Sequence, residues 1–311
     1  MPDGRGFPQL AAGSVVTVGT FDGVHLGHRH ILDRLHERAA AAGLPALLVT
    51  FRPHPLDVVN PSAAPMLLSP GEEQLEALAD SGPLLVAVLP FTLELARLSA
   101  DSFVLEILVA RYHLRELVIG YDHGLGRGRH GDAELLTRLG RSNGFAVDRV
   151  PALLDSTGVP VSSSAIRNSI AHGDIDRARQ VLGRAYALHG VVVPGSQRGR
   201  DLGYPTLNVQ LGSPRKLLPP DGVYAVRAHG ALGTFGGMMN LGGRPTFGEV
   251  DRTVEAHLFD ASGDWYGRTV SIEIIRRLRD TTRFANLDAL VAQLGRDADQ
   301  ARALVQFEFG E

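Results

Sequence analysis

The feature that most constrains this chain is a change of rhythm near residue 187. From residue 14 to about 183, apolar runs at 14–18, 46–51, 84–89, 116–120 and 146–150 alternate with amphipathic stretches near 28–42, 71–80, 101–113 and 132–143. Continuous Val, Leu and Ile runs separated by helices predict an α/β fold, a doubly wound parallel sheet covered on both faces. Two further helices, about 163–171 and 174–183, follow the last run. After 187 the pattern turns to short β-rich runs at 187–193, 206–210, 222–228, 234–241, 253–259 and 269–276, broken by Gly and Pro. Such runs predict an antiparallel β-barrel or sandwich. A final amphipathic helix, about 286–305, closes the chain. The expected domains are 1–184 and 185–311.

Composition narrows the class. The 311 residues are 44% hydrophobic and 21% charged, which suits two globular domains. The net charge of −3 gives no electrostatic reason to expect nucleic acid as a partner. There is no cysteine, so disulfides, thiolate chemistry and Cys-based zinc sites are excluded. No run has the length of a membrane span, and Pro90 stops the best candidate, Leu84–Leu89. The N-terminus lacks a basic segment followed by an apolar core, so no membrane partner and a cytoplasmic location are expected. Lys216 is the only lysine, which rules out a P-loop of the form G-x-x-x-x-G-K-[ST]. Phosphates of ATP must then be held by Arg, His, backbone N–H groups and metal.

In an open parallel sheet, ligands bind beyond the carboxyl ends of the strands. Four polar clusters fall there: His25 and His28, Arg52 to Pro55, Tyr121-Asp122-His123, and Ser162-Ser163-Ser164. The most informative is Gly19-Thr20-Phe21-Asp22-Gly23-Val24-His25-Leu26-Gly27-His28. It sets two imidazoles three residues apart at a strand-to-helix junction, on one face of a first turn, beside unpartnered N–H groups and a dipole that favours anions. Gly19, Gly23 and Gly27 permit close backbone approach, and Asp22 is a candidate helix cap. The expected role is nucleotide binding, with the imidazoles stabilising charge at the α-phosphate. Ser162, Ser163, Ser164 and Arg167 read as a capped helix start and as an anion cradle. Arg52 and His54 are weaker, since Pro-flanked residues are often rigid turns. Gly120 to Arg129 reads equally as a solvated loop or as a lid.

In the second half, Gly195 to Asn208, with Gly199 and Gly203, forms a second phosphate-type loop. Thr206 and Asn208 would alternate on one strand face as small oxygen ligands, which suits Mg²⁺ because that ion takes few protein ligands. In Thr253 to Phe259, Glu255, His257 and Phe259 share one face, with Val254, Ala256 and Leu258 on the other. Glu255 is then a candidate general base for a hydroxyl group, or an exposed strand carboxylate.

Together these residues resemble the bacterial bifunctional riboflavin kinase/FMN adenylyltransferase (FAD synthetase) family. The matching segments are Gly19 to His28, Val161 to Arg167, Leu202 to Asn208, Gly222-Val223-Tyr224, Met239 to Phe247 and Val254 to His257. The resemblance implies an H-x-G-H nucleotidyltransferase domain followed by a riboflavin kinase barrel, with riboflavin, FMN and ATP as substrates. It places His25, His28 and Ser162 to Arg167 on ATP, and Asp122 near the adenylylation substrates. Thr206 and Asn208 would serve Mg²⁺ and ATP, Glu255 the ribityl hydroxyl, and Arg283 with Phe284 the flavin side. Leu125 stands where the family usually has Phe, Ser164 for Thr, Tyr204 for Phe, Leu207 for Ala and Asp280 for Glu. None of these removes a charged or phosphate-binding group. The rivals are an adenylyltransferase for another phosphorylated cofactor precursor and a non-catalytic flavin-binding protein; a homo-oligomer stays open.

Overall fold

The computed structural model describes residues 10–309 apart from 127, 129, 196–198, 200, 201 and 246–249. They form two compact units, Met1–Ser162 and Ser163–Glu311.

The first unit is built on five parallel strands, β1 (Ser14–Val18), β2 (Ala46–Arg52), β3 (Leu85–Pro90), β4 (Leu114–Ile119) and β5 (Ala146–Arg149), in the order β3-β2-β1-β4-β5. Alternation along each strand sends successive side chains to opposite faces. Val16, Val18, Leu47, Val49, Leu117 and Ile119 pack on one side with Phe103, Leu108 and Leu136. Val15, Leu48 and Val118 pack on the other with Leu32, Leu35 and Leu78. The expected doubly wound sheet is therefore present, with both faces covered.

The helix Leu26–Ala42 supplies much of the second face, burying Leu32, Leu35 and Ala39 at helical spacing. Gly43, at φ 62°, ends it: its N–H bonds back to the carbonyls of Ala39 and Ala40 in a left-handed cap that favours glycine. Arg34 reaches Asp148 at 2.6 Å, which ties this helix to β5. Two short helices, Pro55–Val59 and Leu93–Arg97, were not expected from the pattern. Both begin on side-chain caps, His54 and Thr92, in segments too short to show periodicity.

The second unit opens with the helices Ser163–Ala171 and Ile175–Leu182. The unit boundary thus falls earlier than the change of rhythm, because the second of these helices packs on the barrel. Arg179 pairs with Glu308 at 2.7 Å, and Asp176 with Arg276 at 3.6 Å. Six antiparallel strands follow: β6 (Tyr186–Val193), β7 (Leu207–Leu211), β8 (Gly222–Gly230), β9 (Gly233–Pro245), β10 (Val250–Leu258) and β11 (Thr269–Arg279). They close into a barrel in the order β10-β7-β6-β11-β8-β9, which settles barrel against sandwich.

Val209, Val254 and Leu241 lie in register and are almost free of solvent, marking one face of the wall. On the other face, Ala225, Met238, Phe259 and Ile275 are covered by Ala301 and Val305 of the C-terminal helix Leu287–Phe309. Lys216, 3% exposed, sits over the Tyr186 ring at 4.3 Å. Burial, with the charges of Lys216 and Arg184, holds the nearby His189 imidazole down at about 4. Among the described residues, no helix is long and apolar enough to cross a membrane.

Candidate active sites

β1 ends at the point where strand order reverses between β1 and β4, the usual ligand position of an open α/β sheet. The loop that leaves it is tied to a distant segment. Both Leu68 and Ser69 donate backbone N–H bonds to the Asp22 carboxylate, at 3.0 and 2.9 Å. The Gly23 N–H donates to the Ser69 hydroxyl at 2.7 Å. Gln74 and Thr50 donate side-chain bonds to the Thr20 carbonyl.

These bonds hold a strained backbone. Phe21 and Val24 have φ of 46° and 40°, a left-handed region that is rare outside glycine and costs about 1–3 kcal/mol each. Gly23, at φ 87°, passes so close to Leu68 that a Cβ would stand 2.7 Å from its Cδ1. Asp22 is thus a tether for Leu68 and Ser69, 46 and 47 residues along the chain, and not the expected helix cap.

That cap is His25, only 4% exposed, whose Nδ1 accepts the His28 N–H at 3.2 Å. With Nδ1 accepting, a neutral His25 carries its ring proton on Nε2 and presents a donor there. The His25 and His28 rings stack with centroids 3.7 Å apart, and Phe21 stacks on His28 at 4.6 Å. Sequence spacing put the two imidazoles together, and the stack fixes how they face. Leu26 and Gly27 are first-turn residues whose N–H groups have no carbonyl four residues back inside the helix. A Cβ on Gly27 would meet the His25 ring and the Val161 carbonyl, both at 3.2 Å. The segment leading to Ser162 therefore lies directly against the histidine turn.

Beyond β4, Gly120 and the exposed Asp122 follow at the same edge of the sheet. Arg149 donates to the Tyr121 carbonyl at 2.7 Å and fixes this turn. Leu125 is buried and paired with Gly131 through two backbone bonds of 3.1 and 2.9 Å. Arg127 and Arg129 lie outside the described residues. His54 caps Pro55–Val59 through Nδ1, and Arg52 donates to the Gly71 carbonyl at 2.8 Å. Ser162 ends the first unit, and Ser163, Ser164 and Arg167 open the helix Ser163–Ala171 in the second.

On the barrel, Glu255 stands between two carboxamides. It is opposite Asn208 on β7 and opposite Asn240 on β9, so the register sets Asn208, Glu255 and Asn240 in one row across three strands. Directly opposite residues in a sheet lie about 4.5–5.5 Å apart at Cβ. In the sequence Asn240 stands only as part of the matching segment Met239 to Phe247; the register sets it beside Glu255. Glu255 shares its face with His257 and Phe259, while Val254 and Ala256 are buried on the other, as the alternation required.

Thr206 falls one residue before β7 begins, so it enters the strand from the loop instead of alternating within it. Gly195 packs against the Asn208 side chain so closely that a Cβ would collide with the carboxamide. A Cβ on Gly199 would strike the Tyr204 carbonyl and come 3.5 Å from the Thr206 hydroxyl. Gly203, at φ 80°, turns the chain between them, closed by the Tyr204 N–H donating to the Gly199 carbonyl at 2.8 Å. Ser196 to Arg198, Arg200 and Asp201, which complete the expected loop, lie outside the described residues, as do Thr246 and Phe247.

Arg279 holds the next segment in place. It forms ion-paired hydrogen bonds to Asp297 of the C-terminal helix at 2.7 and 3.0 Å, and its guanidinium lies 5.7 Å from the Phe284 ring. Arg283 is exposed beside it. Among the described residues, no cluster of three or more His, Asp or Glu suits a metal. Hydroxyl and carboxamide oxygens at Thr206 and Asn208 are the hard donors that Mg²⁺ accepts.

Two family models match this chain: FAD synthetase over residues 7–165 and riboflavin kinase over residues 182–305. The bifunctional riboflavin kinase/FMN adenylyltransferase of Escherichia coli (strain K12) is 38% identical over 292 residues, covering 93% of this chain and 92% of that protein. The protein of that name from Pseudomonas fluorescens is 39% identical over 94% and 93%. Its counterpart from Bacillus subtilis (strain 168) is 32% identical over 93% and 92%. A solved structure named as a macrolide-efflux protein from Streptococcus pneumoniae superposes with a TM-score of 0.85 at 32% identity, covering 93% of each chain. The chain belongs to the bifunctional riboflavin kinase/FMN adenylyltransferase family, whose two activities carry riboflavin to FMN and FMN to FAD.

Proposed function

We propose that the two steps run on the two residue sets described above, and that residues 1–184 carry the adenylylation while 185–311 carry the kinase. The observation that carries this reading is the row Asn208–Glu255–Asn240, which sets a carboxylate on the barrel face beside the glycine-lined Thr206 loop. In the kinase step Glu255 accepts the proton of the terminal ribityl hydroxyl as its oxygen bonds to the γ-phosphorus of ATP. The bond from that phosphorus to the β-phosphate oxygen breaks, and ADP leaves. Thr206 and Asn208 would hold Mg²⁺, which supplies charge neutralisation at the transferring phosphoryl group. Gly195, Gly199 and Gly203 let the backbone approach the phosphates, and Arg283 with Phe284 borders the flavin.

In the adenylylation step the FMN phosphate oxygen bonds to the α-phosphorus of a second ATP and pyrophosphate leaves. That nucleophile is already anionic, so positioning and charge stabilisation suffice without a base. His25 donates from Nε2 and His28 stacks behind it, with the N-terminus of the helix Leu26–Ala42 adding its dipole. Ser162, Ser163, Ser164 and Arg167 complete the phosphate contacts, Asp122 lies near the flavin substrate, and Gly19 to Gly23 cradle the nucleotide. The need for ATP supports a cytoplasmic location, and the net charge of −3 gives no electrostatic support for a nucleic-acid partner.

The test is a time course of riboflavin with ATP, with and without Mg²⁺. FMN is expected to rise first and FAD to follow with release of pyrophosphate, and chelation of the metal is expected to stop FMN formation. FMN formed at an unchanged rate under chelation would remove Thr206 and Asn208 as metal ligands.

A further inference from the structure

The direction of the chain into Thr206 is decided at Pro205. The pyrrolidine ring locks Pro205 φ near −65° and confines the preceding Tyr204 to extended conformations. Pro205 ψ is the torsion left to set. It turns one rigid plane that carries both the Pro205 carbonyl and the Thr206 N–H. His257 Nδ1 lies 2.8 Å from the Pro205 carbonyl oxygen. A carbonyl only accepts, so Nδ1 carries the proton and donates it. That bond restrains the torsion that aims Thr206.

The imidazole is itself fixed. Tyr204 meets it edge-on at 5.3 Å and Phe259 at 5.8 Å. Phe259 lies under the Arg302 guanidinium at 4.2 Å, and Arg302 is held by Asp260 at 2.7 Å. The Tyr204 hydroxyl lies against Gly295 of the C-terminal helix, 3.5 Å from where a Cβ would stand. His257 is two residues from Glu255 on the same strand face, so one strand carries both the proposed base and the group that holds the metal–nucleotide loop.

We propose that His257 is a positioning residue of the phosphoryl-transfer site: its Nδ1–H sets the Pro205–Thr206 peptide and thereby the Thr206 hydroxyl. The inference rests on the reading of Thr206 as a metal and nucleotide ligand. Two variants of the full chain separate the hydrogen bond from the packing. His257→Asn keeps a donor near Nδ1 without the ring, and His257→Phe keeps the ring between Tyr204 and Phe259 without the donor. Losing the bond is expected to raise the KM for ATP in riboflavin phosphorylation roughly three- to tenfold in His257→Phe. The turnover number should fall less, and His257→Asn should stay near the wild-type KM. Conversion of supplied FMN to FAD should be unchanged in both.

A readout independent of turnover is the imidazole signal of His257 in a long-range ¹H–¹⁵N spectrum, which should report the Nδ1–H form. An Nε2–H tautomer, or a His257→Phe chain with a wild-type KM while His257→Asn is impaired, overturns the proposal. Thr206→Val tells the two layers apart. If it leaves the ATP dependence unchanged, the ligand reading and the inference both fall; if it raises the KM and His257→Phe does not, the inference alone falls.

Discussion

In the proposed function the histidine loop and the barrel face would handle the same co-substrate with different materials. The loop relies on backbone: two left-handed non-glycine residues, a helix N-terminus and an imidazole whose tautomer its own cap bond decides. The barrel relies on register, which lines up a carboxylate with two carboxamides, and on glycines that let the loop before Thr206 pass close to Asn208 and Tyr204. The contrast follows the nucleophiles. A phosphate oxygen attacks without losing a proton, so fixed donors are enough; an alcohol must lose one, so a carboxylate is needed.

The comparison breaks first at the histidines. His25→Ala with His28→Ala should lower conversion of FMN to FAD by about 10²–10³-fold, the usual cost of removing donors aimed at developing charge. Riboflavin phosphorylation, followed separately by FMN release, should hold its rate. A parallel loss of both steps in a chain that melts like wild type would mean the two regions are not independent.

A smaller effect sharpens the contrast on the stability side, because the barrel has a titrating group whose shift is clear. His189 is held near 4 when folded, by burial and by the Lys216 and Arg184 charges, against 6.5 as the ordinary value. Below about pH 6.5 the unfolded chain takes up a proton that the folded chain refuses. Stability therefore falls as pH drops from 6.5 towards 4, and this contribution changes no further below that. His189→Gln should flatten the melting-temperature profile across this window by a few degrees. An unchanged slope would locate the acid sensitivity elsewhere.

Much of this was legible in the sequence because its signals are local and periodic. Val15 and Val16 sit in a continuous apolar run, Leu32, Leu35 and Ala39 repeat at helical spacing, and Glu255 and His257 alternate with Val254 and Ala256. What escaped depends on pairings that no spacing carries. Asp22 looked like a cap because caps are its commonest local use, yet its partners Leu68 and Ser69 arrive from another segment. Asn240 gained a place only when the β9–β10 register set it opposite Glu255. Thr206 lies one residue before β7 begins at Leu207, a boundary that no spacing in the sequence marks.

The central claim is that each transfer has its own residues, and Glu255→Ala tests it most directly. The variant is given riboflavin with Mg-ATP in one reaction and FMN with Mg-ATP in another, with flavins separated over time. FMN formation should fall by about 10²–10⁴-fold, the range for removing a general base, while supplied FMN becomes FAD at the wild-type rate. FMN formed at the wild-type rate, or both conversions lost together in a folded chain, would contradict the account.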